Sequence, residues 1–167
     1  MQKEKLYIAY GSNLNLRQMK YRCPTAKAAG TSQIKNYELV FRGSKTGSYA
    51  TIEPCEGGFV PVLLWNVRLK DEIALDQYEG YPRFYEKESI ELELNGKKVS
   101  AFVYVMTEGH RLGMPSESYR KTIEEGYKTA GFDTAILENA IAITKERMAI
   151  EQESKPEQDN LFGIRWW

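Results

Sequence analysis

Asn95-Gly96 leaves this chain the least freedom. The pair stands between two stretches, 85–94 and 99–106, and Ile90, Leu92 and Leu94 alternate with glutamates on the way into it. Asn-Gly takes up the positive φ angles of a tight two-residue turn at little cost. The two stretches are therefore expected to pair as an antiparallel hairpin with one apolar face. Such a hairpin needs further strands or helices to cover that face, and the rest of the chain offers both.

The segment before the hairpin reads mainly as β. Leu6-Tyr7-Ile8-Ala9-Tyr10 has the texture of a short buried strand, and it stops at Gly11-Ser12-Asn13, residues that turn chains and cap helices. A short helix is expected over 15–22, ended by Cys23-Pro24 because the residue before proline is pushed out of the helical region. Strand-like runs follow at 34–42, with Tyr37, Leu39 and Phe41 on one face, and at 49–53 and 59–69. Asp71-Glu72 place negative charge where a helix begins, and that helix, about two turns long, is expected to end at Glu79-Gly80 ahead of Pro82.

Beyond Pro115 the pattern becomes helical. Ser116 reads as the cap of a helix reaching about Ala130. Asp133 caps a second, reaching about Glu151, with Ile136, Leu137, Ala140, Ile141, Thr144 and Met148 as the stripe that buries against the sheet. The polar run from Glu151 to Asn160 reads as a mobile tail before the apolar end, whose Trp166-Trp167 pair is expected to dock on the body or on another subunit. Strands first and helices last describe an α+β domain with a small curved sheet over 1–150 and a tail over 151–167.

Composition narrows the function. A length of 167 residues with 42% hydrophobic content fills one core. Lysine plus arginine and aspartate plus glutamate are 23 each, so no net field gathers nucleic acid or an anionic membrane. No apolar run reaches the length of about 18 residues that a membrane span needs, and the first five residues run into a strand pattern without a signal-peptide core, so a cytoplasmic setting is expected. Cys23 and Cys55 are read as buried free thiols, and His110 is the only imidazole in the chain. A single imidazole, set between Gly109 and Arg111 in a loop-like stretch, leaves no two-histidine metal site, so catalysis without metal, cofactor or a classical triad is expected.

Two places can carry chemistry. Tyr10-Gly11-Ser12-Asn13-Leu14 lies where a strand gives way to a helix, so backbone amides there lack helical partners and can hold an anion or a polarised carbonyl. The same residues can equally serve only as a cap. Glu79 sits among Tyr78, Tyr81, Phe84 and Tyr85 at a helix end. Exclusion of water and the negative helix terminus would both raise its pKa into the range of an acid/base near neutrality, although a solvated surface glutamate would look the same.

Tyr-Gly-Ser-Asn-Leu after the first strand, followed by Leu75-Asp76-Gln77-Tyr78-Glu79-Gly80 and a nearby Pro82-Arg83-Phe84-Tyr85, resembles the γ-glutamylcyclotransferase-like family over roughly residues 5–130. The resemblance implies a small mixed β-barrel-like sheet flanked by helices. It also implies amides of Tyr10 to Leu14 that hold a γ-glutamyl group and Glu79 as acid/base. The implied reaction releases 5-oxoproline and an amine from a small γ-glutamyl substrate. Tyr85 and Tyr119 are expected as further pocket residues, since a phenol can pack on a substrate chain and still offer a hydroxyl. Pro61 departs from the glycine many relatives place there, and the tail has no family counterpart. A binding module that has kept the cradle without turnover is the alternative.

Overall fold

The computed structural model describes residues 3–43 and 47–165, with side chains described as far as Glu153. In chain order the elements are β1 (Lys5–Ala9), a 3₁₀ turn (Ser12–Leu14), α1 (Leu16–Arg22), β2 (Lys27–Gly43), β3 (Tyr49–Val67), α2 (Leu69–Glu79), β4 (Tyr85–Leu94), β5 (Lys97–Met106), β6 (Arg111–Leu112), α3 (Glu117–Ala130) and α4 (Thr134–Arg165). The strands make one mixed sheet in the order β4-β5-β1-β3-β2-β6, in which only β1 and β5 run parallel. Both parallel strands are central and largely apolar, as burial on two faces demands.

The hairpin forms as its turn chemistry requires. Asn95 and Gly96 take φ angles of 52° and 78°, and β4 pairs β5 from Tyr85↔Met106 to Leu94↔Lys97. Where three runs were expected before it, there are two long strands. β2 and β3 pair along nearly their whole length, through irregularities at Ala28/Gly30 and Lys35/Tyr37. At the second, Asn36 (φ 63°) and Gly57 (φ 81°) absorb the extra residues, and the Gly57 amide donates to Asn36 Oδ1 at 3.1 Å. The polar stretch 54–58, which looked like a break, is a bulge that kinks the strand without ending the sheet. Pro61 is tolerated because β3 is paired only with β2 there, β1 joining from Leu63 onward.

These long bent strands curl the sheet until β4 returns beside the start of β2, where Ser32 Oγ donates to the Glu93 carbonyl. No ladder joins the two strands among the described residues, so the barrel-like sheet is a half-barrel with one open seam. Ile8, Phe41, Ile52, Leu64 and Val103 fill its inside. Leu137, Ala140, Ile141 and Thr144 of α4 pack on β2, and Arg147 pairs with Glu38 of that strand at 3.1 Å through Nη2.

Other expectations are corrected. The α4 backbone runs to Arg165 rather than stopping near Glu151, since polarity marks the loss of a face to bury and not by itself the end of a helix. Trp166 and Trp167 lie outside the described residues. Cys23 is buried, whereas Cys55 is only half-buried, beside the bulge. Among the described residues no helix is long and apolar enough to cross a membrane.

Candidate active site

α2 is held at both ends. Asp71 Oδ2 accepts from the Arg68 amide at 2.9 Å while its carboxylate also takes the Thr25 hydroxyl at 2.7 Å, and the buried Glu72 pairs with Lys5 and Lys87 at 3.0 and 2.7 Å. The helix starts two residues before Asp71 and gives three turns in place of about two. At its far end Gly80 adopts φ 65° and ψ 35°, the left-handed cap, leaving Glu79 as the last helical residue.

The turn after β1 is stitched from several directions. Asn13 Nδ2 donates to Tyr7 Oη at 2.9 Å, Arg22 Nη1 donates to Asn13 Oδ1, and Trp65 Nε1 donates to the Asn13 carbonyl at 3.1 Å. Ser12 Oγ lies 3.0 Å from Tyr78 Oη. Asn15 caps α1 through the Arg17 and Gln18 amides, and its own amide group reaches the Thr122 carbonyl at 3.0 Å. Within the 3₁₀ turn the Leu14 and Asn15 amides donate to the Gly11 and Ser12 carbonyls, whereas those of Gly11, Ser12 and Asn13 donate to no described residue.

Turn and carboxylate meet in one cavity of about 320 Å³. Tyr10, Gly11, Ser12, Asn13, Glu79, Tyr85 and Tyr119 all line it. Leu14 does not: it is buried under α3, facing Gly126, and belongs to the core. Glu79 as a residue is half-buried, and its carboxyl is the buried part, which pushes its pKa up to about 7; the Arg22 guanidinium pulls the other way. The carboxyl accepts no hydrogen bond from the described residues, so its proton is unclaimed by the protein.

Seven of the eleven tyrosines line this cavity. Tyr10 donates its hydroxyl to the Tyr104 carbonyl at 2.6 Å, and Tyr85 donates to the Ala50 carbonyl at 2.7 Å. Tyr119 Oη accepts from the Ala50 amide at 3.1 Å. Burial, with Glu79 nearby, keeps the phenols of Tyr7, Tyr10 and Tyr85 protonated. A side chain at Gly11 would start 3.3 Å from Tyr119 Oη, so glycine keeps this end of the cavity open.

Of the aromatics that flank Glu79 in sequence, Tyr78, Phe84 and Tyr85 line the cavity and Tyr81 does not, while Tyr7, Tyr49 and Tyr104 are wall residues that no sequence signal marks. Tyr104 is fixed by donating to Asp76 Oδ1 at 2.6 Å, and Asp76 also pairs with Lys87 at 2.8 Å. Arg22 touches two sides of the site, as its hydrogen bond to Asn13 and its stacking 3.3 Å over the Tyr78 ring demonstrate.

Comparison with known proteins follows the same lines. A family model described as gamma-glutamyl cyclotransferase, AIG2-like, matches residues 7–126. Human gamma-glutamylcyclotransferase is 30% identical over 147 residues, spanning 83% of this chain and 78% of the relative. The mouse gamma-glutamylcyclotransferase is 29% identical over the same shares. A solved gamma-glutamyl cyclotransferase superposes with a TM-score of 0.74 at 26% identity, covering 83% of this chain and 86% of its own.

Proposed function

Since the chain belongs to the gamma-glutamyl cyclotransferase, AIG2-like family of enzymes, we propose that it cleaves a γ-glutamyl amide by intramolecular cyclisation, releasing 5-oxoproline and an amine. The observation that carries this reading is the sharing of one cavity by Glu79 and the free amides of Gly11, Ser12 and Asn13.

The substrate's α-amine attacks its own γ-carbonyl carbon, the new C–N bond closes a five-membered ring, and the old C–N bond breaks. One proton leaves the attacking nitrogen and one reaches the leaving nitrogen, so the reaction is balanced without water, metal or an enzyme nucleophile. A carboxyl with a pKa of about 7 can take the first proton as carboxylate and return it as acid near neutrality. The amides at the turn suit the oxyanion that forms on the γ-carbonyl, and a wall of aromatic rings excludes water and holds the folded substrate. Two cysteines outside any disulfide accord with a cytoplasmic setting.

The test is 5-oxoproline release from γ-glutamyl amino acids, γ-glutamylamines and glutathione by the native protein and by Glu79→Gln. Proton transfer of this kind is worth about a hundred- to ten-thousandfold, so release from at least one substrate should fall by that factor in the variant. Undiminished release would remove Glu79 from the mechanism. No release from any substrate would point to a γ-glutamyl amide outside the panel or to a binding role.

A further inference from the structure

Arg22 is the last residue of α1, where positive charge suits the helix terminus. Its half-buried side chain donates through Nη1 to Asn13 Oδ1 and through Nη2 to Gln18 Oε1 at 3.1 Å, while the guanidinium plane lies over the Tyr78 ring. It makes no ion pair among the described residues. Asn13 neighbours Ser12, and Ser12 touches Tyr78, which immediately precedes Glu79. Arg22, Asn13, Ser12 and Tyr78 thus close a ring of contacts between the two halves of the cavity, joined once by Ser12 to Tyr78 and once by the guanidinium.

We propose that Arg22 is a positioning residue: its guanidinium clamps the turn through Asn13 and α2 through Tyr78, fixing the free amides against the carboxyl of Glu79. A planar fork that donates on one edge and stacks on its face is specific to arginine, whereas lysine supplies the charge and a donor from a single point but not the fork with the planar stack. The charge has a second effect. The groups facing Glu79 are Arg22 from α1, Tyr7 and Tyr10 from β1 and its end, Tyr85 from β4, Tyr104 from β5 and Tyr119 from α3. Only Arg22 among them is a cation, and it favours the ionised carboxyl that burial disfavours. Loss of that charge moves the Glu79 midpoint, and with it the acid limb of the rate profile, to higher pH.

This inference rests on Glu79 carrying the proton. The experiment compares native protein, Arg22→Gln and Arg22→Lys by two readouts. One is kcat and KM against pH with a γ-glutamyl amino acid or γ-glutamylamine that the native protein turns over. The other is titration of the Glu79 carboxyl by ¹³C NMR, assigned with Glu79→Gln, which needs no turnover. Arg22→Gln should lower kcat by about ten- to a hundredfold, as a misplaced reacting group does, with the Glu79 midpoint displaced upward. Arg22→Lys should keep the midpoint near the native value and still lose kcat, because the fork and the stack are gone. A native midpoint in folded Arg22→Gln, or native kcat in Arg22→Lys, would overturn the clamp. Should Arg22→Gln fail to fold, the lysine variant decides alone. If the native protein releases no 5-oxoproline at all, the functional reading fails, and the NMR titration still decides whether Arg22 governs the carboxyl.

Discussion

Glu79 is carried at a cost to the fold. Its carboxyl titrates near 7 in the native protein and near its ordinary value of 4.5 once unfolded, so between those pH values the native state binds more protons than the unfolded state. Stability from this residue is therefore greatest below about 4.5 and declines as pH rises through 7. Glu79→Gln should melt at a higher temperature than the native protein at pH 8, with the difference closing towards pH 4.5; equal melting curves at pH 8 would place the carboxyl in water after all. The residue was legible through the Leu75 to Gly80 motif taken together with Tyr10 to Leu14, since its aromatic neighbours alone fit a solvated surface glutamate equally well. Tyr7 and Tyr104 were not, since an aromatic on a strand looks the same whether it faces core or cavity. Arg22 looked like any basic residue in a last helical turn, because what sets it apart is a contact across the fold.

At the scale of elements, the Asn95-Gly96 hairpin, the cap at Ser116 and the stop at Gly80 were readable because each depends on dihedral or capping chemistry confined to a few residues. The union of β2 with β3 through the bulge was not, since the Asn36–Gly57 pairing joins residues far apart in sequence. Gly126 is a similar case. Inside α3 it reads as a mild weakness, but a Cβ there would lie 2.7 Å from Leu14 Cβ, 2.8 Å from the Leu14 carbonyl carbon and 3.0 Å from the Asn15 amide. Helix propensity alone would favour Gly126→Ala by about 1 kcal/mol. Overpacking costs about 1–3 kcal/mol, and because two of the three contacts are backbone atoms no rotamer can relieve them. The clash should win: the variant should melt lower and turn over more slowly, since the turn that bears the amides is what α3 would push. A higher melting temperature with native kcat/KM would refute this account of how α3 holds the turn.

Across the whole molecule, the order of strands then helices was enough to read an α+β domain, but not the half-barrel, because curling depends on where two long strands bulge against each other. The same whole-chain view bears on the boundary proposed at 150. Every described residue that lines the cavity lies at or before Tyr119, and among the side chains described, which end at Glu153, the last fully buried position of α4 is Thr144, with Ile150 already 60% exposed. A chain ended after Ile150 should therefore keep its turnover and lose little stability. Ending it after Asp133 is a different matter. That cut removes Leu137, Ala140, Ile141 and Thr144 from the face of β2, and two large buried aliphatic side chains alone contribute about 3–6 kcal/mol, comparable to the 5–15 kcal/mol that holds a typical domain together. The shorter chain should unfold or melt far below the native protein. Thermal denaturation and 5-oxoproline release measured on both truncations separate the cases: loss of activity in the longer one would mean that 151–167 belongs to the working enzyme, and native stability in the shorter one would mean that α4 does not close the core.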